Sequence, residues 1–207
     1  MTQVKLCGIR TLSHAQAAID AGAEYLGFVL AAGRRQVSPD TIREIIAELG
    51  PSRARYVGVF VDADPDEARN VAIYAGLDVV QLSGSESPDD VVRVGVPAFK
   101  VVHVRPEADI QAEVERYAGV AEMVMLDTYR ATAAGGTGEA FDWSAAGEVA
   151  ARYPVMVAGG LRPDNVAEAI RAVHPAAVDV SSGIETRGEK DPAKMQAFVA
   201  AVRGTQL

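Results

Sequence analysis

Eight short apolar segments, each followed by a stretch with helical spacing, constrain the fold of this chain more than any other feature. The segments are Val4–Ile9, Tyr25–Leu30, Tyr56–Val61, Val79–Leu82, Ala98–Val104, Met123–Asp127, Val155–Ala158 and Ala177–Val180. Most of them are apolar at successive positions rather than at alternate ones, which is typical of parallel strands buried on both faces. The pattern therefore predicts eight βα units.

Helix boundary signals follow these segments. One predicted helix has Ser38 as its cap, Pro39 at its first position and Gly50 at its end. A first helix is predicted with Ser13 as its cap and an end near Gly22. The same scheme recurs in DPDEARNVAIYAG, PEADIQAEVERYAG, RPDNVAEAIRAV and DPAKMQAFVAAVRG, and SPDDVVRVG is a shorter candidate.

These units predict an α/β fold, a single (β/α)8 TIM barrel that covers residues 1–207 as one domain. The alternative is an open, doubly wound parallel sheet. That fold usually carries a G-x-G-x-x-G turn after its first strand, and none is present here. No linker divides the chain. The long connection TYRATAAGGTGEAFDWS after the sixth strand is expected to be a functional loop.

Composition and charge exclude several classes of partner. The net charge is −8, so we expect no nucleic-acid partner. No apolar run reaches about 18 residues, and the chain has no signal-peptide pattern, so we expect a cytoplasmic protein without a membrane partner. A single cysteine and three scattered histidines argue against a metal site, and no cofactor is expected.

An acid and a base are predicted at the mouth of the barrel, because active sites of this fold lie where the strands end. Cys7 ends the first strand and Asp127 ends the sixth, so the two would face each other. A thiolate can serve as a general base and a carboxyl group as a general acid. The alternatives are that Cys7 is a small buried apolar residue and that Asp127 caps a helix or anchors a loop.

A phosphate site is predicted after the last two strands. Gly159 and Gly160 follow the seventh strand, and Ser181, Ser182 and Gly183 follow the eighth. Backbone amides in such loops bind phosphate in many barrels of this kind. The alternative is that the glycines only permit tight turns.

Two arginines follow the second strand. Either Arg34 or Arg35 could bind a ligand carboxylate in a bidentate fashion. The alternative for such a pair is a solvated loop.

Taken in order, the segments VKLCGIRT, YLGFVL, RRQVSP, VGVFVD, VQLSG, MLDT, GGTGEAFDW, AGGLRPDNV and VDVSSGIE cover nearly the whole chain. In this combination the chain resembles the phosphoribosylanthranilate isomerase family of tryptophan biosynthesis. The resemblance implies an Amadori rearrangement of a phosphorylated aminosugar, without a cofactor or metal, by a monomer or a homodimer.

The resemblance also implies roles for individual residues. Asp127 would protonate the ribose ring oxygen, and the Cys7 thiolate would remove the C2′ proton. Arg35, rather than Arg34, would face the anthranilate carboxylate, and Asp179 would lie near the reacting sugar. The loops at Gly159–Gly160 and Ser181–Gly183 would hold the phosphate.

One position departs from the family pattern, which usually has QLHG where this chain has QLSG with Ser83. The departure leaves room for a different substrate. The related sugar isomerase of the histidine pathway would need a carboxylate where Cys7 stands, and a metal-dependent epimerase would need histidines at strand ends. A binding barrel without catalysis is the alternative from another class.

Overall fold

A closed parallel barrel is the framework of the molecule in the computed structural model, which describes residues 1–104, 109–127 and 143–205. Within these residues, consecutive strands pair in parallel and the first also pairs with the last. The strands are β1 (Gln3–Cys7), β2 (Tyr25–Val29), β3 (Arg55–Phe60), β4 (Val79–Leu82), β5 (Ala98–His103), β6 (Met123–Asp127), β7 (Val155–Ala158) and β8 (Ala177–Val180). The predicted barrel is thus confirmed, and the open sheet is excluded.

Helices follow the strands in the predicted order. They are α1 (Leu12–Ala21), α2 (Pro39–Leu49), α3 (Pro65–Ala75), α4 (Pro88–Val94), α5 (Ile110–Tyr117), α6 (Trp143–Ala150), α7 (Val166–Val173) and α8 (Pro192–Gly204). A short 3-10 turn (Ser182–Ile184) and a hairpin of β9 (Glu185–Thr186) and β10 (Glu189–Lys190) separate β8 from α8. No pattern in the sequence predicts this hairpin.

Two boundaries near the start of the chain differ from the prediction. The first strand ends at Cys7 rather than Ile9, because Gly8 takes a φ of +82° and ends the extended course of the chain. The first helix is capped by Thr11, whose side chain accepts a hydrogen bond from the backbone N–H of His14, so Ser13 lies inside the helix. Gly8 therefore turns the chain directly after Cys7, the predicted general base.

Two apolar layers fill the molecule. The larger one lies between the strands and the surrounding helices, and the smaller one fills the inside of the barrel. In the smaller layer, Tyr25 and Phe99 meet edge to face with ring centroids 5.4 Å apart. The barrel interior is therefore a packed core, and a ligand must bind at its rim. The predicted loop after β6 falls mostly on residues 128–142, outside the described residues.

Candidate active site

A cavity of about 460 Å³ opens at the carboxyl ends of the strands. Most of the predicted site residues line it: Arg35, Asp127, Gly159, Gly160, Asp179, Ser181 and Ser182. Cys7 and Gly183 are not among the lining residues. A larger groove, of about 600 Å³, lies between the loops after β2 and β3, and Glu67 is the acidic residue among its mainly apolar lining. The chemistry predicted from the sequence therefore converges on the smaller cavity.

Cys7 lies in the barrel wall beside this cavity, with 7% of its surface exposed. It is in register with Gly27 of β2. A Cβ atom on Gly27 would lie 2.8 Å from Cys7 Sγ and 3.0 Å from Lys5 Nζ. Gly27 therefore leaves the space in which the thiol and an ammonium group approach each other.

Lys5 and Asp179 form a buried ion pair beneath the cavity. Lys5 Nζ donates a hydrogen bond of 2.6 Å to Asp179 Oδ1, and the lysine side chain is fully buried. Burial by itself lowers the pKa of Lys5, but the charges of Asp179 and Cys7 and their hydrogen bonds outweigh it and raise the pKa above its usual value. The lysine in the apolar run VKLC was the signal for this pair, which the sequence analysis missed.

Asp127 ends β6 in register with His103 of β5. The two side chains approach within 3.6 Å, between His103 Nδ1 and Asp127 Oδ2. The other ring nitrogen, Nε2, lies 3.0 Å from the carbonyl oxygen of Ser83. His103, Ser83 and Asp127 all line the cavity. In the sequence His103 is only one of three scattered histidines, because its partners lie on neighbouring strands.

Both predicted arginines bind one carboxylate, that of Glu185. Arg35 donates to it through Nε at 2.6 Å and Nη2 at 3.0 Å, and Arg34 donates through Nη2 at 2.7 Å. Lys190 Nζ also lies 3.0 Å from Glu185 Oε1 and donates to the carbonyl oxygen of Ser181 at 2.8 Å. Burial raises the pKa of Glu185, but hydrogen bonds from Arg35, Lys190 and Arg34 outweigh it and lower the pKa to about 2.

The two predicted phosphate loops pack directly against each other. A Cβ on Gly183 would lie 2.0 Å from the carbonyl oxygen of Leu161, so no larger residue fits there. Gly159 and Gly160 have φ angles of +95° and +66°, which favour glycine. Gly183 thus joins the two loops and does not line the cavity, while the other four predicted residues do.

The closed barrel, with charged side chains gathered in a cavity at the carboxyl ends of its strands, is the architecture of the (β/α)8-barrel enzymes. Among the described residues, no cluster of three or more histidine, cysteine, aspartate or glutamate side chains could hold a metal ion. In the same residues, no helix has the length and apolar character needed to cross a membrane.

Comparison with known proteins identifies the family. The family model described as N-(5'phosphoribosyl)anthranilate (PRA) isomerase matches residues 4–201, so the chain belongs to this family of isomerases of tryptophan biosynthesis. The isomerase of Chromohalobacter salexigens is 46% identical over 99% of this chain and 96% of its own. The crystal structure of the Thermotoga maritima isomerase superimposes with a TM-score of 0.88 at 36% identity, over 99% of this chain and 100% of that one.

A second solved structure of a phosphoribosyl anthranilate isomerase contains a ligand. It is a complex with reduced 1-(o-carboxyphenylamino)-1-deoxyribulose 5-phosphate. It superimposes with a TM-score of 0.86 at 34% identity, over 99% of this chain and 100% of that one. That ligand carries both a carboxylate and a phosphate, the two groups for which the sequence predicts arginine and loop contacts.

Proposed function

We propose that this cavity converts N-(5-phosphoribosyl)anthranilate into 1-(2-carboxyphenylamino)-1-deoxyribulose 5-phosphate, with Asp127 as the general acid and Cys7 as the general base. One observation carries the proposal. Asp127 lines the same cavity as Arg35 and both phosphate loops, and Cys7 ends β1 two residues beyond Lys5, which is in register with Asp179 of that cavity. The cytoplasm is the compartment that we propose for this biosynthetic reaction.

The reaction needs a general acid and a general base that act on one sugar. Asp127 donates a proton to the ribose ring oxygen, the bond between C1′ and that oxygen breaks, and the anthranilate nitrogen becomes the nitrogen of a protonated imine. The Cys7 thiolate then takes the proton from C2′, and the electrons of that bond move into the imine to give an enolamine. Return of a proton to C1′, with loss of the proton from the C2′ hydroxyl group, gives the ketone. The imine accepts the electron pair, so no cofactor is proposed.

Two loops and one arginine orient the substrate in this scheme. The loops at Gly159–Gly160 and Ser181–Gly183 hold the phosphate, and Arg35 binds the anthranilate carboxylate. Asp179 lies beside the reacting sugar. The position of Arg35 in the cavity lining supports this role, and Glu185 holds the guanidinium there through Nε and Nη2.

The decay of anthranilate-type fluorescence from freshly generated substrate tests the proposal. We expect rapid loss of signal with the parent protein. In Cys7→Ser and in Asp127→Asn, kcat should fall by about 10² to 10⁴-fold with little change in ligand affinity. Asp20→Asn is the matched control, because Asp20 is an exposed carboxylate that pairs with Gln16 on α1.

Three outcomes would contradict these assignments. A Cys7→Ser protein with parental kcat would remove the base, and a fully active Asp127→Asn protein would remove the acid. Binding of the phosphorylated ligand without turnover by the parent protein would favour a barrel that only binds its ligand, and Ser83 would then be the first residue to replace with histidine.

A further inference from the structure

A fully buried ammonium group lies next to the only cysteine of the chain. Lys5 and Cys7 are two residues apart on β1, so both side chains point to the same face of the strand. Lys5 has no solvent-exposed surface, and Cys7 has 7%. Removing an ammonium group from water costs several kcal/mol unless nearby groups compensate for it. A lysine that only filled the barrel would therefore be a poor choice compared with an apolar residue.

Gly27 on the neighbouring strand shows how close the two groups are. A Cβ at this position would lie about 3 Å from both Lys5 Nζ and Cys7 Sγ, so the two atoms are neighbours across the space that glycine leaves empty. Burial lowers the pKa of Lys5, and the charge of Asp179, followed by that of Cys7, raises it.

On the opposite side of β1, Asp179 fixes the ammonium in place. Asp179 is in register with Lys5 across the pairing of β1 and β8, and the ion pair has a length of 2.6 Å. A lysine ammonium group has three N–H donors, so one can bind the carboxylate while another points to the sulfur. The pair is electrically neutral, and the ammonium is the half of it that approaches Cys7.

We propose that Lys5, held by Asp179, is a positioning residue that stabilises Cys7 as the thiolate. The proposal rests on the proposed function, in which Cys7 is the base. A cation beside a thiol favours the thiolate by direct attraction, and the attraction is strong where water is excluded. Lys5 therefore acts through Cys7 and makes no contact with the substrate.

Other charged groups face the same region from neighbouring elements. Lys190 of β10 and the Arg35 side chain both lie close to Gly8, the residue that follows Cys7. Their charges are balanced by Glu185, which binds both of them. Asp127 ends β6 on the far side of the cavity. The charge of Lys190 also interacts with Cys7. Lys5 differs from Lys190 and Arg35 because it shares with Cys7 the space beside Gly27.

The single cysteine makes a direct test possible, because any thiol signal reports on Cys7 alone. The rate of alkylation by iodoacetamide and the ultraviolet absorbance of the thiolate are measured across a pH series for the parent protein and for Lys5→Met. We expect the midpoint of both curves to move to higher pH by about one unit in the variant, equivalent to about a tenfold smaller thiolate fraction at neutral pH. Unmoved curves would overturn the proposal.

Two further variants separate the charge of Lys5 from side effects. Lys5→Met leaves Asp179 unpaired, and a lone carboxylate would itself oppose the thiolate, so the double variant Lys5→Met, Asp179→Asn is measured too. We expect its curve to remain shifted, and a return to the parental curve would contradict the proposal. Lys100→Met is the matched control, because Lys100 is equally buried and paired with Glu86 but lies on β5. Its alkylation curve should match that of the parent.

Gly27→Ala provides a second route if Lys5→Met fails to fold. It keeps every charge, but its Cβ would force the sulfur and the ammonium group apart. We expect the alkylation midpoint to rise here as well, and a folded Gly27→Ala protein with the parental midpoint would count against the proposal.

Measurements of turnover distinguish the positioning role of Lys5 from the role of Cys7 as the base. In Lys5→Met, kcat at neutral pH should fall by about tenfold and recover as the pH rises, while KM changes little. A defect in folding would not recover at high pH. If the base assignment is wrong, Cys7→Ser stays active; if only the role of Lys5 is wrong, Cys7→Ser is inactive and the alkylation curve of Lys5→Met does not move.

Discussion

His103 Nδ1 lies 3.6 Å from Asp127 Oδ2, while the other nitrogen of the same ring lies 3.0 Å from the carbonyl oxygen of Ser83. A carbonyl oxygen only accepts hydrogen bonds, so Nε2 must carry a proton. In the neutral ring, Nδ1 then presents a lone pair to the carboxyl group. At 3.6 Å the contact between the ring and the carboxyl group is longer than a hydrogen bond, so His103 is a close polar neighbour of Asp127 that is held in place by Ser83.

This arrangement predicts the effect of His103→Gln on turnover. Glutamine can still donate to the carbonyl oxygen of Ser83, but it places no ring beside Asp127. We expect kcat to fall by about threefold to tenfold with little change in KM, because the acid loses a neighbour that orients it. Equal kcat values for the two proteins would show that His103 does not assist Asp127.

Because of Glu185, we expect the free energy of unfolding to depend on pH, and we expect Glu185→Gln to remove this dependence. The pKa of Glu185 is lowered from 4.5 to about 2, so its stabilising contribution is complete above pH 4.5 and is lost as the pH falls towards 2. We expect Glu185→Gln to lower the free energy of unfolding by ~2 kcal/mol at neutral pH. Urea unfolding in steps from neutral pH to pH 2 measures this difference, which should shrink below pH 4.5. A constant difference would contradict the assignment.

The two arginines should differ in their effect on substrate binding. The Arg35 side chain is 23% exposed and donates hydrogen bonds to Glu185 from two nitrogens. The Arg34 side chain is 56% exposed and donates from one. We expect Arg35→Met to raise KM by about tenfold or more, because its charged contact with the substrate carboxylate is lost, and Arg34→Met to change it by less than about threefold. Steady-state kinetics compares the pair, and the reverse order would assign the substrate carboxylate to Arg34.

Gly183→Ala should weaken phosphate binding although Gly183 does not line the cavity. Its Cβ would meet the Leu161 carbonyl at 2.0 Å, and backbone atoms cannot yield without moving a loop. We expect a loss of ~1–3 kcal/mol in stability and weaker inhibition by inorganic phosphate. Gly204→Ala is the control: nothing lies within 4 Å of its Cβ position near the end of α8, so it should be neutral or stabilising. Unchanged inhibition by phosphate in Gly183→Ala would contradict the coupling of the two loops.

Features of the fold that depend on local residue patterns could be predicted from the sequence. Apolar runs defined the bounds of β4, β6, β7 and β8 to the residue, and the cap at Ser38 was correct. The residues at strand ends were also identified, because the fold brings these ends to one rim. The roles assigned to them remain predictions.

Pairings between distant residues could not be read from the chain. Glu185 binds Arg35 across 150 positions, and it lies in a hairpin too short to leave a periodic signal. The buried pair of Lys100 and Glu86 was equally hidden, because a charged residue in a strand does not reveal its partner. Such contacts depend on which strands become neighbours, so they follow from the closed barrel and not from any single segment.

The pair of Lys5 and Asp179 has a consequence for how the barrel folds. Its two residues are 174 positions apart and meet only where the first strand joins the eighth. In a partly folded chain in which β1 and β8 are not yet paired, the ammonium group of Lys5 cannot be buried with its counter-ion. Packing of the inner layer around β1 is therefore opposed until the barrel closes. This charged pair stabilises the inner layer only in the closed barrel, which disfavours half-closed intermediates and makes the folding transition more cooperative.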